Sequence, residues 1–261
     1  MIFENRFQNK TVVVTGAAQG IGKETALRVA REGAAVAMID RSPYVKDVAK
    51  IAKDEGLEAI ALLADLETFD GFKTALKEVQ EAFGKIDVLI NNVGGTIYTK
   101  PYDVYTPDEI ESEINRSLYT TLWGCRAVLP HLLSNNGGVI INISSIATRS
   151  IRRVPYAAAK GGVNAMTASL AFEYAPHNIR VVGVATGGTE APPRLVPRHP
   201  SEESEQEKAW YQEIIDQTIE STLMKRYGTL EEQVAPILFM ASDEASYITG
   251  VTLPVSGGDL G

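Results

Sequence analysis

The sequence is poor in cysteine and histidine, with one cysteine and three histidines among 261 residues. The lone cysteine, Cys125, excludes a disulfide within the chain and is typical of a protein from a reducing compartment. The three histidines are scattered without the spacing of metal ligands, so we expect no metal site. These shortages argue against disulfide scaffolds and zinc modules.

The sequence also lacks a block of basic residues and a long apolar run. Its 25 Lys and Arg against 33 Asp and Glu give a formal net charge of −8, which argues against a nucleic-acid partner because such proteins present clustered positive charge. No apolar segment approaches the length of a spanning helix, and the first ten residues have no apolar core of a secretory signal. We therefore expect a soluble cytoplasmic protein with no nucleic-acid or membrane partner.

Apolar, β-branched runs alternate with helical stretches along most of the chain. The runs that predict strands are residues 10–16, 34–40, 58–65, 85–92, 137–145, 179–186 and 251–257. Predicted helices cover 20–33, 72–84 and 154–175, and another runs from a Thr106–Glu109 capping box toward Pro130. Strands separated by helices predict one α/β domain over 1–261, with a doubly wound, parallel, Rossmann-like sheet. A proline-rich, acidic stretch and the amphipathic stretch after it predict a flap and helix at about 187–226.

A glycine-rich loop, TGAAQGIG, joins the first predicted strand to the first predicted helix. Its glycines, Gly16, Gly20 and Gly22, permit a sharp turn and let a pyrophosphate approach the helix N-terminus, where free N–H groups attract anions. An ordinary tight turn is the alternative. Asp40 ends the second strand, where an acidic residue binds a ribose diol and repels the 2′-phosphate of NADP, so we predict NAD. Arg41 is a counter-signal, because a basic residue there can pair with that phosphate.

Tyr156 and Lys160 are four residues apart, so a helix places them on one face. An ammonium one turn away stabilises a phenolate, which suits a tyrosine to act as a base. This spacing alone occurs by chance in many proteins. It gains weight from Ser144 and Ser145 at the end of a predicted strand, where a hydroxyl can face the same cleft.

Further motifs follow in order: Asp65 after the third strand, NNVG from Asn91, Ser145, Tyr156 with Lys160, and SYITG near the end of the chain. With the glycine loop, they make the whole chain resemble the short-chain dehydrogenase/reductase family. The resemblance implies Tyr156 as the acid/base, Lys160 as a ligand of the nicotinamide ribose, and Ser145 as the group that orients the substrate oxygen. It also implies a homo-oligomer, usually a tetramer. The implied cofactor contacts are Gly16, Gln19, Gly20, Ile21, Gly22, Asp40, Asp65, Leu66, Asn91, Lys160 and Thr189.

The chain departs from the family pattern at several places. NNVG replaces NNAG, and Thr186 begins a Thr-Gly pair in place of Pro-Gly. Ser117 stands where most members carry an asparagine that helps to hold a relay water, and Asn115 points elsewhere on the helix, so that role is not transferred. The loop between the serine pair and the tyrosine is shorter than usual, which leaves Ser144 and Ser145 as alternatives.

Three stretches, NNVGGTIYTKPYDVY, SSIATRSIRRVPYAAAKGGVNA and ATGGTEAPPRLVPR, resemble one branch of the family, the bacterial cis-diol carboxylate dehydrogenases of benzoate, toluate and cumate degradation. The resemblance implies NAD-dependent oxidation of a cis-dihydrodiol carboxylate to a catechol with loss of carbon dioxide. A planar guanidinium matches a substrate carboxylate bidentately. We assign Arg152, Arg153 and Arg194 to the substrate, with Arg149 and Arg198 as further candidates. The alternative is that these arginines are solvated surface charges.

Two other functions stay open at this point. Another enzyme of the family, such as an oxoacyl reductase or a sugar-alcohol dehydrogenase, would keep Tyr156 and Lys160, and a preference for NADPH would favour it. A non-catalytic NAD-binding protein would bind the dinucleotide without turnover, which the intact Ser145, Tyr156 and Lys160 argue against.

Overall fold

The computed structural model describes residues 2–199 and 204–260. A parallel sheet of seven strands lies at its centre, in the order β3-β2-β1-β4-β5-β6-β9. These strands are β1 (Thr11–Thr15), β2 (Ala35–Asp40), β3 (Ala59–Leu63), β4 (Val88–Asn91), β5 (Gly138–Ser145), β6 (Ile179–Thr186) and β9 (Thr252–Val255). The single-domain, doubly wound parallel sheet predicted from the sequence is confirmed.

Helices cover both faces of the sheet, because each central strand is apolar on both sides. On β1, Val12 and Val14 belong to one buried cluster and Val13 to the other, as the two-residue period of a strand requires. The first face packs against α1 (Gly20–Arg31), α2 (Val45–Asp54) and α8 (Leu230–Ala241). The second packs against α3 (Phe69–Phe83), α5 (Thr120–Ser134) and α6 (Val154–Tyr174).

The strand order reverses between β1 and β4. The chain moves outward from β1 to β2 and β3, and then returns to place β4 on the other side of β1. Loops at the carboxyl ends of these two strands diverge and leave a crevice, which is where sheets of this kind bind ligands. The glycine loop follows β1 and the NNVG segment follows β4, so both motifs border that crevice.

The helix predicted from Thr106 toward Pro130 is divided into segments. Thr106 and Glu109 form the predicted capping box of α4 (Pro107–Ile114), and a π-helical turn (Asn115–Tyr119) then leads directly into α5. Pro130 lies inside α5 and does not end it. The sequence pattern does not predict α2 and α8, two helices on the first face of the sheet.

The flap begins after β6. A short strand, β7 (Thr189–Glu190), pairs with β8 (Gly228–Thr229), and α7 (Glu205–Ser221) lies between them. Ser204 and Glu207 form a capping box at the start of α7. Residues 200–203 of the predicted flap lie outside the described residues.

Among the described residues, no helix is both long enough and apolar enough to cross a bilayer. Over 2–199 and 204–260, no group of three or more His, Cys, Asp or Glu is arranged to hold a metal ion.

Candidate active site

The glycine loop forms an anion-binding cradle at the start of α1. Gly16 and Gly20 have φ of +66° and +57°, in the left-handed region that favours glycine. A Cβ on Gly22 would lie 2.1 Å from the Gly16 carbonyl oxygen, so only glycine fits where the helix crosses the loop. The free N–H groups of the first turn of α1 therefore lie at the edge of the crevice, which suits a pyrophosphate.

Asp40 lies at the carboxyl end of β2, beside this cradle. Its carboxylate accepts hydrogen bonds from the Ala18 amide at 3.0 Å and the Ser42 amide at 2.9 Å, which fix its orientation. Arg41 has its Nη1 3.3 Å from Glu67 Oε1. The Arg41 guanidinium, a candidate partner for a 2′-phosphate, therefore already forms a salt bridge with Glu67.

A single cleft of about 600 Å³ joins the cradle to the tyrosine and lysine. Its walls include all but two of the site residues that the sequence predicted. These are Gly16, Gln19, Gly20, Ile21, Gly22, Asp40, Asp65, Leu66, Ser145, Arg153, Tyr156, Lys160, Thr189 and Arg194. The two that lie elsewhere are Asn91 and Arg152.

Tyr156 and Lys160 lie one turn apart near the start of α6 and are both buried. The Lys160 ammonium donates a hydrogen bond to the Ile143 carbonyl at 2.7 Å and lies 5.8 Å from the centroid of the Tyr156 ring. Burial lowers the pKa of Lys160, and the charge of Arg198 lowers it further while Tyr156 opposes the change. The arrangement places a phenol group, whose oxygen can exchange a proton, beside a fixed cation, which suits acid/base chemistry.

The two serines at the end of β5 differ in their partners. The Ser144 hydroxyl donates to Asn164 Oδ1 at 2.5 Å, a short bond that holds it against α6. The Ser145 hydroxyl donates to the Thr186 carbonyl at 3.4 Å and accepts from the Ala147 amide at 3.1 Å. Because its donated bond is long, the Ser145 hydroxyl is the one that a substrate oxygen can recruit.

The side chain of Asn91, which was predicted to contact the cofactor, is buried and lies beneath the cleft. Its amide donates to Asn142 Oδ1 at 3.0 Å and approaches Cys125 Sγ at 3.4 Å. Asn92 lines the cleft instead, and its amide donates to the Thr15 carbonyl at 3.0 Å. Successive side chains of a strand point to opposite faces, so only one of the two adjacent asparagines can face the cleft.

Arg152, which was assigned to the substrate, does not line the cleft. Its backbone is in the left-handed region, with a φ of +62°. Its guanidinium pairs with Glu213 on α7 at 2.7 Å and lies 5.9 Å from the centroid of the Trp210 ring. Arg149 is exposed and also lies outside the cleft. These two arginines are therefore not placed to bind a ligand there.

Three arginines, Arg153, Arg194 and Arg198, do line the cleft together with Tyr156. Arg153 donates from Nε to the Ser150 hydroxyl at 2.8 Å, and its Cζ lies 5.9 Å from the centroid of the Tyr156 ring. Within the described part of the chain, no carboxylate lies within salt-bridge distance of any of the three. The end of the cleft near the tyrosine is therefore cationic.

Other side chains in the cleft were not singled out by the sequence reading. Arg116 lines the cleft from the π-helical turn and pairs with Glu67 at 2.7 Å. Tyr211 and Tyr227 add phenol rings to the same wall. Arg116 directly precedes Ser117, but a single charged residue on a predicted helix does not indicate that its side chain lines a cleft.

Ser117, at the family's asparagine position, is fully buried behind the cleft wall. Its hydroxyl accepts a hydrogen bond from the Gly95 amide at 3.3 Å. Asn115 is exposed, so it faces away from Ser117 as the helical spacing predicted.

Gln19 of the glycine loop is bonded to the flap. Its amide oxygen accepts from the Leu195 amide at 2.9 Å and the Val196 amide at 3.1 Å. Its amide nitrogen donates to the Val196 carbonyl at 3.0 Å. These three bonds, which we call the Gln19 latch, join the cradle to the flap across the cleft.

The fold, the glycine cradle and the buried tyrosine–lysine pair define a nicotinamide-dependent oxidoreductase. A family model for short chain dehydrogenases matches residues 10–199, and the chain belongs to that family. Among its relatives is a 1,6-dihydroxycyclohexa-2,4-diene-1-carboxylate dehydrogenase of Acinetobacter baylyi, 54% identical over 98% of this chain and 98% of that one. An enzyme of the same name from Pseudomonas putida is 54% identical, covering 98% of this chain and 94% of that one.

Solved structures of the family share the same fold. An NAD⁺-bound xylitol dehydrogenase is 28% identical with a TM-score of 0.85, covering 97% of this chain and 99% of that one. A 3-ketoacyl-(acyl-carrier-protein) reductase from Brucella melitensis, complexed with NADH, is 28% identical with a TM-score of 0.84 over the same shares. The glycine cradle and Asp40 fit the same type of cofactor.

Proposed function

We propose that the protein catalyses the NAD-dependent oxidation of a cis-dihydrodiol carboxylate to a catechol with loss of carbon dioxide, in aromatic (benzoate) degradation. The substrate would be 1,6-dihydroxycyclohexa-2,4-diene-1-carboxylate or a ring-substituted analogue. The observation that carries the proposal is the group of three arginines, Arg153, Arg194 and Arg198, in the same cleft as Tyr156. A group of cations that forms no salt bridge with any described carboxylate fits a carboxylate ligand. The two relatives at 54% identity carry the name of this activity.

In the proposed reaction, the Tyr156 oxygen takes the proton of the secondary hydroxyl, and the Ser145 hydroxyl holds the same substrate oxygen. Lys160, anchored on the Ile143 carbonyl, stabilises the phenolate and binds the ribose of the cofactor. The nicotinamide supplies the hydride acceptor for the carbon that bears this hydroxyl. The arginines orient the carboxylate so that this carbon faces the cofactor.

The product of oxidation is a ketone β to the carboxylate. Loss of carbon dioxide leaves the electron pair on the ring as an enolate, which takes up one proton and is then a catechol. The proton released in the first step equals the one consumed here, so the sum is diol acid plus NAD⁺ giving catechol, carbon dioxide and NADH. Because the ring becomes aromatic, decarboxylation needs no dedicated residue.

Asp40 supports NAD over NADP. Its carboxylate is fixed at the end of β2, where it favours a ribose diol and opposes a 2′-phosphate. The salt bridge of Arg41 with Glu67 weakens the one feature that favoured the phosphate.

We also propose that the protein is a cytoplasmic homotetramer. Nearly fully exposed aromatic side chains, Phe172 on α6 and Tyr247 before β9, support association between copies. Light scattering on the purified protein tests the tetramer.

The test is an NADH-formation assay on the purified protein with the cis-diol acid and with the same diol lacking the carboxylate. We expect rapid turnover of the acid with NAD, slower turnover with NADP, and slow turnover of the neutral diol. Catechol and carbon dioxide should form in equal amounts with NADH.

Three results would contradict this proposal. Equal kcat/KM for the acid and the neutral diol would show that the arginines do not bind a substrate carboxylate. Activity confined to oxoacyl or sugar-alcohol substrates would move the protein to another branch of its family. Cofactor binding without turnover of any of these compounds would show a non-catalytic protein.

A further inference from the structure

We propose that Arg198 is the side chain that binds the substrate carboxylate, and that Gly95 is the residue that gives it room to do so. This inference rests on the proposed function. It selects one arginine among the three that line the cleft without a salt bridge to a described residue, and it assigns a specificity role to a glycine on a different loop.

Arg198 carries an unused hydrogen-bond donor at the cleft. Its Nε is buried from solvent and has no hydrogen-bond partner. A buried guanidinium N–H without an acceptor is costly, so a small shift of the Arg198 side chain that brings Nε to a ligand oxygen in the cleft gains that free energy on binding. Nε and the neighbouring Nη are spaced to receive both oxygens of a carboxylate.

The other two arginines are less suited to this role. Arg153 already donates from Nε to the Ser150 hydroxyl at 2.8 Å. Arg194 also lines the cleft but is the more exposed residue of the two on the flap, so water competes for its donors. Only Arg198 combines a cleft position, a buried Nε and an unmet donor.

Gly95 forms the seat for this guanidinium. A Cβ on Gly95 would lie 3.0 Å from Arg198 Nε, 3.2 Å from Cζ and 3.3 Å from Nη2. The side chain therefore rests flat on a backbone that carries no side chain of its own. Gly95 also has a φ of +123°, a backbone angle that residues other than glycine rarely adopt.

The loop that carries Gly95 is fixed from behind. The Gly95 amide donates to the buried Ser117 hydroxyl at 3.3 Å. Further along the loop, the Ile97 and Tyr98 amides donate to Glu113 Oε1 at 2.6 and 2.8 Å. The Tyr98 ring meets the ring of His199, next to Arg198, edge-on at 5.1 Å between centroids. The loop that carries Gly95 therefore contacts the flap at the residue next to Arg198.

The experiment compares Arg198→Ala, Arg198→Lys, Gly95→Ala and the double variant R198A/G95A. Arg149→Ala serves as the matched control, because Arg149 is an exposed arginine outside the cleft. Each protein is assayed for kcat and KM on the cis-diol acid, for the Kd of NADH, and for the Kd of benzoate bound to the NADH complex. Benzoate is the probe because it offers the carboxylate without a hydroxyl to oxidise.

For Arg198→Ala we expect kcat/KM on the acid to fall roughly 30- to 1000-fold, with a parallel loss of benzoate affinity and an unchanged Kd for NADH. Arg198→Lys should recover only part, because an ammonium cannot bind both oxygens in one plane. Gly95→Ala strains the backbone in both backgrounds, but it should weaken benzoate binding more in the wild-type background than in the Arg198→Ala background, because only there does it also displace the guanidinium.

The outcomes separate this inference from the function beneath it. If the wild type oxidises the acid and Arg198→Ala behaves like Arg149→Ala, the function stands and the assignment of Arg198 is wrong. A weaker Kd for NADH in Arg198→Ala would make Arg198 a cofactor ligand, which also overturns it. Additive losses in the double variant would refute the role of Gly95. If the wild type does not oxidise the acid, the proposed function fails, and the benzoate titration still decides whether Arg198 binds carboxylate.

Discussion

At the scale of single residues, the site sets up a contrast between Tyr156 and Ser117. Tyr156→Phe keeps the ring and removes only the oxygen that accepts the proton, so we expect normal folding and a loss of kcat of at least about 10²-fold. Ser117→Ala should cost much less, because the Ser117 hydroxyl lies behind the cleft and bonds the Gly95 amide at 3.3 Å. The measurement is kcat and KM on the cis-diol acid, with circular dichroism as the folding check. Equal damage in the two variants would show that Ser117 has a direct part in proton transfer.

Residue types and spacing singled out many residues that line the cleft, but they could not predict which way adjacent side chains point. Adjacent asparagines have the same chemistry, and only the register of β4 against β5 shows that Asn91 faces Asn142 while Asn92 faces the glycine loop. Arg152 and Arg153 are likewise adjacent and alike. They differ in the structure because Arg152 has a left-handed backbone and pairs with the carboxylate of Glu213, which lies 61 residues further along the chain.

At the scale of elements, the Gln19 latch couples the glycine loop to the flap. Gln19→Ala removes three hydrogen bonds. We therefore expect the free energy of opening the flap to fall by about 1 to 2 kcal/mol, which raises the population of the open flap roughly 5- to 30-fold. Hydrogen exchange at the Leu195 and Val196 amides measures this directly, because both donate to the Gln19 side chain. Gln80→Ala, on α3 away from the flap, is the control. Unchanged exchange in Gln19→Ala would mean that the flap is held by other contacts.

The periodicity of the sequence predicted the seven central strands because each is a short apolar run between helices. It could not predict the π-helical turn at Asn115–Tyr119, since one extra residue in a helix leaves no mark in composition. That turn nevertheless brings Arg116 into the cleft and buries Ser117. The helices α2 and α8 went unpredicted, although their apolar side chains complete the first layer of the core.

At the scale of the whole molecule, Glu113 makes stability depend on pH. Burial raises the pKa of its carboxyl from 4.5 to about 7, against the opposing effects of the Tyr98 and Ile97 amides and of Arg116 and Arg198. The folded state therefore holds a proton that the unfolded state has lost between these pH values. The contribution of Glu113 to the free energy of unfolding must then fall as pH rises through this window, and the penalty is complete above it.

The variant Glu113→Gln stays neutral and keeps an oxygen for the two loop amides. We expect its free energy of unfolding, relative to wild type, to rise by roughly 2 to 4 kcal/mol between pH 4.5 and pH 8. Urea unfolding at several pH values and a fixed protein concentration measures this difference. Glu111→Gln, an exposed acid on the same helix, should follow the wild type. A constant difference between Glu113→Gln and wild type would mean that Glu113 titrates normally in the folded protein.

The buried position of Cys125 makes the protein suited to optical labelling. Cys125 is the only cysteine of the sequence, and burial raises the pKa of its thiol to about 12, so it stays protonated and shielded from maleimide reagents near neutral pH. A cysteine introduced at the exposed Leu195 would therefore be the single reactive thiol. A fluorophore attached there would report the movement of the flap during turnover without any change to the native thiol.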